Sequence, residues 1–380
     1  MNLTLCTKCK IAPGANCRAQ LFFGLVSAIF IVLFLSISVK VKATTAIYVA
    51  NADSQEIAVL QLNPDSGEFS LLQRYSVKGA VMPMALSPDK RSLYAAIRSE
   101  PYRLLTLGID PDSGRLSPKA MTPMVDSMAN ISVDTTGRYL FAASYGGNKI
   151  SVHTLDDAGV PQLLLRVVGT GKHPHQITAD MRNRFVYVSL LGDDQLDFFR
   201  FASLVSQTSR TPDIKTAIHL PSGAGPRHFV TSADNRYWYV MGELDARVHV
   251  LKRNPITGKS QLLESHALMA QEANTKPWAA DIHLTPDGHF LYASERSRSE
   301  LYAFRINQKN GRLTPVGNWK TELQPRAFRI SPDGRYLVVA GQLSNHISIY
   351  SINANTGGIE LIQKMMVGLN PSGVAIVSMP

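Results

Sequence analysis

From residue 45 onward the chain is built of short runs in which apolar and polar positions alternate, such as NKISVHTL, ARVHVLKR and NHISIYSI. A period of two puts every second side chain on one face of an extended strand. Such runs predict half-buried β-strands, and the Gly, Pro, Asn and Asp clusters between them predict tight turns. The runs recur as a unit. A strand is followed by Ser/Thr-Pro/Ala-Asp-Gly-Arg and then by an aromatic-rich strand: LSPDKRSLYAAIR, VDTTGRYLFAASY, ADMRNRFVYVSLL, TSADNRYWYVMGE, LTPDGHFLYASER and ISPDGRYLVVAGQ. The Arg position is held by Arg91, Arg138, Arg184, Arg236, His289 and Arg335, at intervals of 47, 46, 52, 53 and 46 residues. Thr45, 46 residues before Arg91, is followed by AIYVAN, the second-strand half of the same motif, which makes seven units.

Each unit has room for four strands. After the aromatic strand comes another alternating run, then an Asp/Asn-x-x-x-Gly turn (NPDSGEF, DPDSGRL, NPITGKS, NANTGGI) and a fourth strand. Four short strands in about 46 residues is the period of a propeller blade, and it leaves no room for helices. The first unit lacks a first strand, and the chain finishes on LNPSGVAIVSM, a first strand with no second strand after it. The expected fold is therefore all-β: a seven-bladed β-propeller of four-stranded antiparallel blades, with the C-terminal strand completing the N-terminal blade. That closure removes two exposed sheet edges.

The segment ahead of the repeats is different. Leu21–Val39 is an uninterrupted apolar run behind a basic leader, and Val41–Ala43 offers small residues for cleavage. Residues 1–43 are expected to be a signal peptide or N-terminal membrane anchor, and 44–380 the propeller domain. The globular part is then exported, periplasmic or anchored to the inner membrane, and cytoplasmic only if translation starts near residue 44. Membrane contact is expected only through that segment, if it is uncleaved.

Composition narrows the partners. Hydrophobic residues make up 45% of the chain and charged ones 18%, which excludes a disordered chain and a fully membrane-embedded one. Of the formal net charge of +10, five positive charges (Lys8, Lys10, Arg18, Lys40, Lys42) lie in the leader, which has no Asp or Glu. The remaining surplus forms no basic run, so nucleic acid is not expected as a partner, while a small anionic substrate is compatible with it. All three cysteines (Cys6, Cys9, Cys17) are in the leader, so neither disulfides nor thiolate chemistry enter the exported part.

In a propeller the first strand of each blade lines the central channel. First-strand starts and second-strand ends share one face, and the Ser-Pro-Asp-Gly-Arg turns lie on the other, where their Asp and Gly serve the turn. The residues that break the apolar pattern gather on the first face. At first-strand starts stand HPHQ (His173, His175), GPRHF (Arg227, His228), WAADIH (Trp278, Asp281, His283) and QPRAF (Arg326). At second-strand ends stand Glu243, Glu295, Arg296 and Gln342. Guanidiniums suit the clamping of an anion, and a His or Glu beside them suits proton transfer. His173 and His175 have metal-like spacing that Asp281 and His283 could join, but in an extended segment the two must share a face with those ligands and no cysteine helps, so no metal is expected; nor is there a Gly-x-Ser-x-Gly elbow for a serine nucleophile.

PMALSPDKRSLY, GPRHF with the following GELD, WAADIHLTPDG and QPRAFRISPDGRYLVVAGQLSNHISIY closely resemble the bacterial seven-bladed propeller 6-phosphogluconolactonases, from about Thr44 to Pro380. Fungal carboxy-muconate lactonizing propellers belong to the same superfamily. The resemblance implies cofactor-free hydrolysis of a sugar δ-lactone at the channel mouth; a small anionic lactone is the expected partner, and the protein is expected to be a monomer. By the same resemblance, His175, Glu243, Arg227 and Arg326 are the catalytic residues, with Arg227 and Arg326 orienting the anion and His175 or Glu243 activating water. His228, Asp281, His283, Glu295, Arg296 and Gln342 are expected to contact substrate. Two departures stand out: the export leader, which questions a phosphorylated substrate, and Asn130 where the family commonly has His. A cycloisomerase acting on an unsaturated dicarboxylate and a non-catalytic exported binding propeller are the alternatives.

Overall fold

The computed structural model describes residues 45–208, 218–254, 260–268 and 275–379. The expected leader, residues 1–43, lies outside the described residues, as does most of the NPITGKS turn. The strands form seven four-stranded antiparallel sheets, and one sheet has the C-terminal strand Pro371–Ser378 paired with Thr45–Asn51, followed by Glu56–Leu62 and Phe69–Ser76. The ring is thus closed by the pairing the sequence predicts. Blades are numbered here from this composite sheet in chain order.

The core is not central. Seven buried apolar clusters each fill one interface between neighbouring blades, from Tyr48 with Leu93 between blades 1 and 2 round to Val338 with Ile47 between blades 7 and 1. Each sheet therefore has apolar residues on both faces, which explains the almost uninterrupted burial of second strands such as Tyr237–Gly242 and Tyr336–Gly341.

A hydrogen bond repeats across these interfaces. The tyrosine hydroxyl of one blade's second strand donates to the glycine carbonyl of the next blade's third-to-fourth-strand turn: Tyr48 to Gly114 (2.9 Å), Tyr94 to Gly159 (2.6 Å), Tyr239 to Gly311 (3.0 Å) and Tyr292 to Gly357 (2.8 Å). These tyrosines are buried, so the phenol has no water to turn to and needs that acceptor. Gly357 sits at φ +77°, and a Cβ there would lie 2.3 Å from the Phe290 ring, so both its backbone conformation and its neighbours exclude a side chain.

The far-face turns are held as the sequence implies: in Ser331–Arg335 the Ser331 hydroxyl and the Arg335 amide both donate to Asp333 Oδ1. The expectation of no helix is corrected in blade 4, where Phe201–Val205 forms a short α-helix and the outer strand shrinks to Ile218–His219. The long interval between Arg184 and Arg236 accommodates this insertion.

The inner strands carry the feature that makes the site. In six of the seven blades the inner strand shifts register beside its first paired residue at the mouth end: after Val81, Pro174, Pro226, Ala279 and Pro325, and beside Pro371. A bulge takes residues out of the alternation and re-aims their side chains. The residues set free are Met82 and Pro83, His175 and Gln176, Arg227 and His228, Ala280 and Asp281, Arg326, and Ser372.

Replacing Tyr292 with Phe leaves the buried Gly357 carbonyl without its donor and is expected to lower unfolding free energy by about 1–3 kcal/mol. Denaturant unfolding of the two proteins measures it, and equal midpoints would show that the inter-blade staple contributes nothing.

Candidate active site

The bulged residues converge. A cavity of about 60 Å³ at the mouth of the channel is lined from the inner strands of all seven blades, including Met82, Asn130, His175, Arg227, His228, Asp281, Arg326 and Ser372. Backbone wiring fixes these positions. Ser189 Oγ accepts from the Gln176 amide (2.9 Å) and donates to the Arg227 carbonyl (2.7 Å), tying blade 4 to blade 5. The Gln176 side chain bonds both backbone groups of Phe229, and Asn130 Oδ1 accepts from the Ile177 amide (3.1 Å). Asn130, where the family commonly has His, thus bridges blades 3 and 4.

Glu243 organises the cations. Its Oε2 lies 2.8 Å from Arg227 Nε, off the N–H axis, and its Oε1 is 3.1 Å from both Arg296 Nη2 and the Trp278 indole nitrogen. Arg296 lies 3.9 Å from the centre of the Trp278 ring. Burial alone would raise the Glu243 pKa, but Arg227, Arg296 and Arg326 outweigh it and hold the carboxyl below its ordinary value. Arg296 is pushed down to about 9 by burial and by Arg227.

Two further guanidiniums have no carboxylate partner among the described residues. Arg326 Nη2 is 3.3 Å from the Met82 sulfur, and Arg98 Nη1 is 3.0 Å from the same sulfur, with Arg98 Nε bonded to Ser127 Oγ (3.0 Å). A thioether is a weak acceptor and carries no charge. Burial, then Arg227 and Arg296, drive the Arg326 pKa well below its ordinary value.

Asp281 is the second fixed carboxylate. Oδ1 accepts from His228 Nδ1 (2.7 Å) and the Ile282 amide (3.1 Å). Oδ2 is reached by the Phe328 amide (3.2 Å), Arg329 Nη1 (3.1 Å) and His283 Nε2 (3.2 Å). Burial opposes its ionisation, but His283, His228 and Arg329 hold its pKa well below the usual carboxylate range.

His175 is 5% exposed, its ring edge-to-face with His228 at 5.0 Å, and its Nδ1 is buried with no partner. Burial, then Arg227, His228, Arg326 and Arg296, keep it neutral. His173 is set apart by its positive φ of 59° and stacks on Tyr145 at 4.3 Å. The Ser372 hydroxyl is a second buried, partnerless group on the cavity wall.

The structure therefore brings His175, Arg227, His228, Asp281 and Arg326 to one cavity, with Glu243 and Arg296 directly behind Arg227. It does not bring in three of the expected contacts. Both Glu295 oxygens are engaged by backbone amides, of Trp278 (2.8 Å) and Arg298 (2.7 Å), so this buried carboxylate shapes its own blade's loops. Gln342 bonds Asn370 Oδ1 (2.9 Å) on the blade 7–blade 1 rim. His283 reaches Asp281 from the other side and lines a separate cavity of about 660 Å³ among the far-face turns, with Asp180, Arg182 and Asn235. Among the described residues no group of three or more His, Cys, Asp or Glu side chains is placed to hold a metal ion.

Arg98 was missed, although the signal was there. It occupies the last position of LSPDKRSLYAAIR, immediately after the second strand, the same place that Glu243, Arg296 and Gln342 hold in their own repeats.

Comparison with known proteins identifies the family. Residues 42–376 match the family model described as Lactonase, 7-bladed beta-propeller. The chain is 37% identical over 332 residues to a 6-phosphogluconolactonase of Serratia proteamaculans, covering 87% of this chain and 98% of that one. It is 35% identical to a 6-phosphogluconolactonase of Yersinia pestis, over 87% of this chain and 97% of the relative. Among solved structures it superposes on a periplasmic gluconolactonase of Pseudomonas aeruginosa with a TM-score of 0.82 and 25% identity, covering 89% of this chain and all of that one. By fold, repeat and sequence, the chain belongs to the seven-bladed β-propeller lactonase family.

Proposed function

We propose that the protein is a lactonase that hydrolyses a sugar δ-lactone bearing an anionic group, 6-phosphogluconolactone or a related aldonolactone, without a cofactor. The observation that carries this is the guanidinium of Arg326 on a cavity built by all seven blades, and that of Arg98 beside it on the shared Met82 sulfur, neither in an ion pair with a carboxylate among the described residues. Unpaired charge at a desolvated site costs free energy, and an anionic ligand removes that cost. The bidentate fork of arginine suits phosphate and carboxylate oxygens.

The reaction needs little more than this site supplies. Water adds to the lactone carbonyl carbon, negative charge develops on the carbonyl oxygen, and the bond to the ring oxygen breaks as that oxygen takes up a proton. Arg227, fixed by Glu243 and by its bond to the Ala280 carbonyl, provides a preorganised positive group for the developing oxyanion. Arg326 and Arg98 hold the substrate's anionic end. Glu243 is committed to Arg227, Arg296 and Trp278, so its part in this reading is to hold the cations. The proton-transfer duty then falls to an imidazole.

A second reading has a specific support. Likeness to a periplasmic gluconolactonase and the apolar stretch Leu21–Val39 favour an exported protein, cleaved after Ala43 or anchored, acting on an unphosphorylated aldonolactone. One experiment separates the two. Initial rates on 6-phosphogluconolactone and on gluconolactone are expected to differ by about 10- to 100-fold in kcat/KM in favour of the phosphate ester, the worth of one or two charge-assisted hydrogen bonds. Arg98→Ala is expected to erase that preference. Equal rates on both substrates in the parent would favour the free lactone, and turnover of muconates alone would move the protein to the cycloisomerase class.

Arg227→Ala is expected to lower kcat/KM on the preferred lactone by about 100- to 1000-fold, the range for removing one oxyanion donor. Steady-state rates on a folded variant check it, and unchanged turnover would take Arg227 out of the mechanism.

A further inference from the structure

Two imidazoles face the mouth cavity, and their surroundings differ in one decisive respect. His228 is hydrogen-bonded through Nδ1 to Asp281, whereas His175 has a buried Nδ1 without a partner. We propose that His228, oriented by Asp281, is the base that activates water in the lactonase reaction, and that His175 is a wall of the same cavity. The inference rests on the lactonase reading above and deepens it.

The tautomer follows from hydrogen-bond chemistry. An ionised carboxylate only accepts, so the 2.7 Å contact to Asp281 Oδ1 puts the proton on His228 Nδ1. Arg227 Nη1 also lies 3.3 Å from Nδ1, but both groups are then donors, so this is a proximity and not a bond. The lone pair is left on Nε2, for which the described residues supply no partner. That is the arrangement of a general base whose third group fixes the ring and stabilises the imidazolium as it forms.

Asp281 is suited to the supporting role because it cannot turn away. It accepts from backbone amides on two adjacent inner strands, Ile282 of its own blade and Phe328 of the next, and from Arg329. His228 occupies the position in its blade that Gln176 holds in blade 4 and Asp281 holds in blade 6, two residues into the bulge. The dyad is thus two copies of one repeat position facing each other across a blade interface.

The charges around the two rings favour the same assignment. At His175 every influence opposes protonation: burial, Arg227, His228, Arg326 and Arg296. At His228 burial, Arg227 and Arg329 also oppose it, bringing the group down to about 4, but Asp281 acts in the other direction. Both rings are neutral at pH 7, as a base must be at the start, and only one has a counter-charge waiting for the proton.

The step balances. A water O–H bond breaks as its proton passes to His228 Nε2, and the oxygen bonds to the lactone carbon while the carbonyl π electrons move to oxygen. On collapse, the bond from carbon to ring oxygen breaks and the ring oxygen takes the proton from His228. The product acid then ionises to solvent.

The test has two arms. In ¹⁵N-histidine-labelled full-length protein at pH 7, the signal that disappears in His228→Ala is expected to be a neutral ring protonated at Nδ1; one protonated at Nε2 overturns the proposal. This arm needs no turnover, so it stands even if every lactone is inert, a result that would strike the lactonase reading instead. In rate measurements, His228→Ala is expected to lose at least 100-fold in kcat while still binding the aldonate product, showing that the mouth remains folded, and added imidazole is expected to restore part of the loss. A kcat within threefold of the parent, a loss that imidazole does not lift, or rescue confined to His175→Ala overturns it.

Discussion

Glu243 stands between two buried guanidiniums, Arg227 and Arg296, and that arrangement governs the rest of the mouth. Without the carboxylate, Arg227 and Arg296 would lose the ion-pair partner that each has among the described residues. With it, these two are paired, while Arg98 and Arg326 are left without a carboxylate partner among the described residues and are the groups proposed to meet a ligand. Buried ion pairs of this kind are weak contributors to net stability, because desolvation offsets most of the attraction. Their value here is positional. Arg227 is 1% exposed and held at the side chain by Glu243 and the Ala280 carbonyl, so it needs no reorganisation when charge develops beside it.

The fold provides the rigidity that such a site requires. The inner strands are wired to their neighbours by side chains that reach across blade interfaces, Asn130 to Ile177, Gln176 to Phe229 and Asp281 to Phe328, each pair linking successive blades. On the outside of these strands the apolar clusters and the tyrosine-to-glycine bonds hold the blades in register. A functional side chain in one blade is therefore placed by contacts from two others.

Much of this was legible in the sequence because the repeat is regular. Four alternating runs per unit, a missing first strand at one end and a surplus one at the other fix the blade count and the closure. The strands that begin with Pro-Arg-His and Pro-His-Gln announced a polar mouth. What the pattern could not show is the bulge. Strict alternation sends Arg227 and His228 to opposite faces, and only the register shift after Pro226 brings both to the cavity. The same limit explains Glu295, which has the composition of a site residue but spends both oxygens on backbone amides. Those bonds depend on loop geometry that no periodicity encodes. Arg98 is a different case: its repeat position matches that of Glu243, Arg296 and Gln342, but the first-strand start of its own blade, VMPMA, carries no charged residue to mark the rim there. The helix Phe201–Val205 follows an insertion whose length was visible and whose shape was not.

Arg98 and Arg326, the guanidiniums at the mouth without a carboxylate partner among the described residues, are the proposed anion site of the lactonase. The most direct measurement is a crystal structure of the protein with its aldonate product, phosphorylated or free. An anionic oxygen of the ligand is expected within hydrogen-bond distance of Arg326, with the sugar chain against Arg227 and His228. Product seated in the far-face cavity beside His283 and Asn235, with the mouth left to solvent, would contradict it.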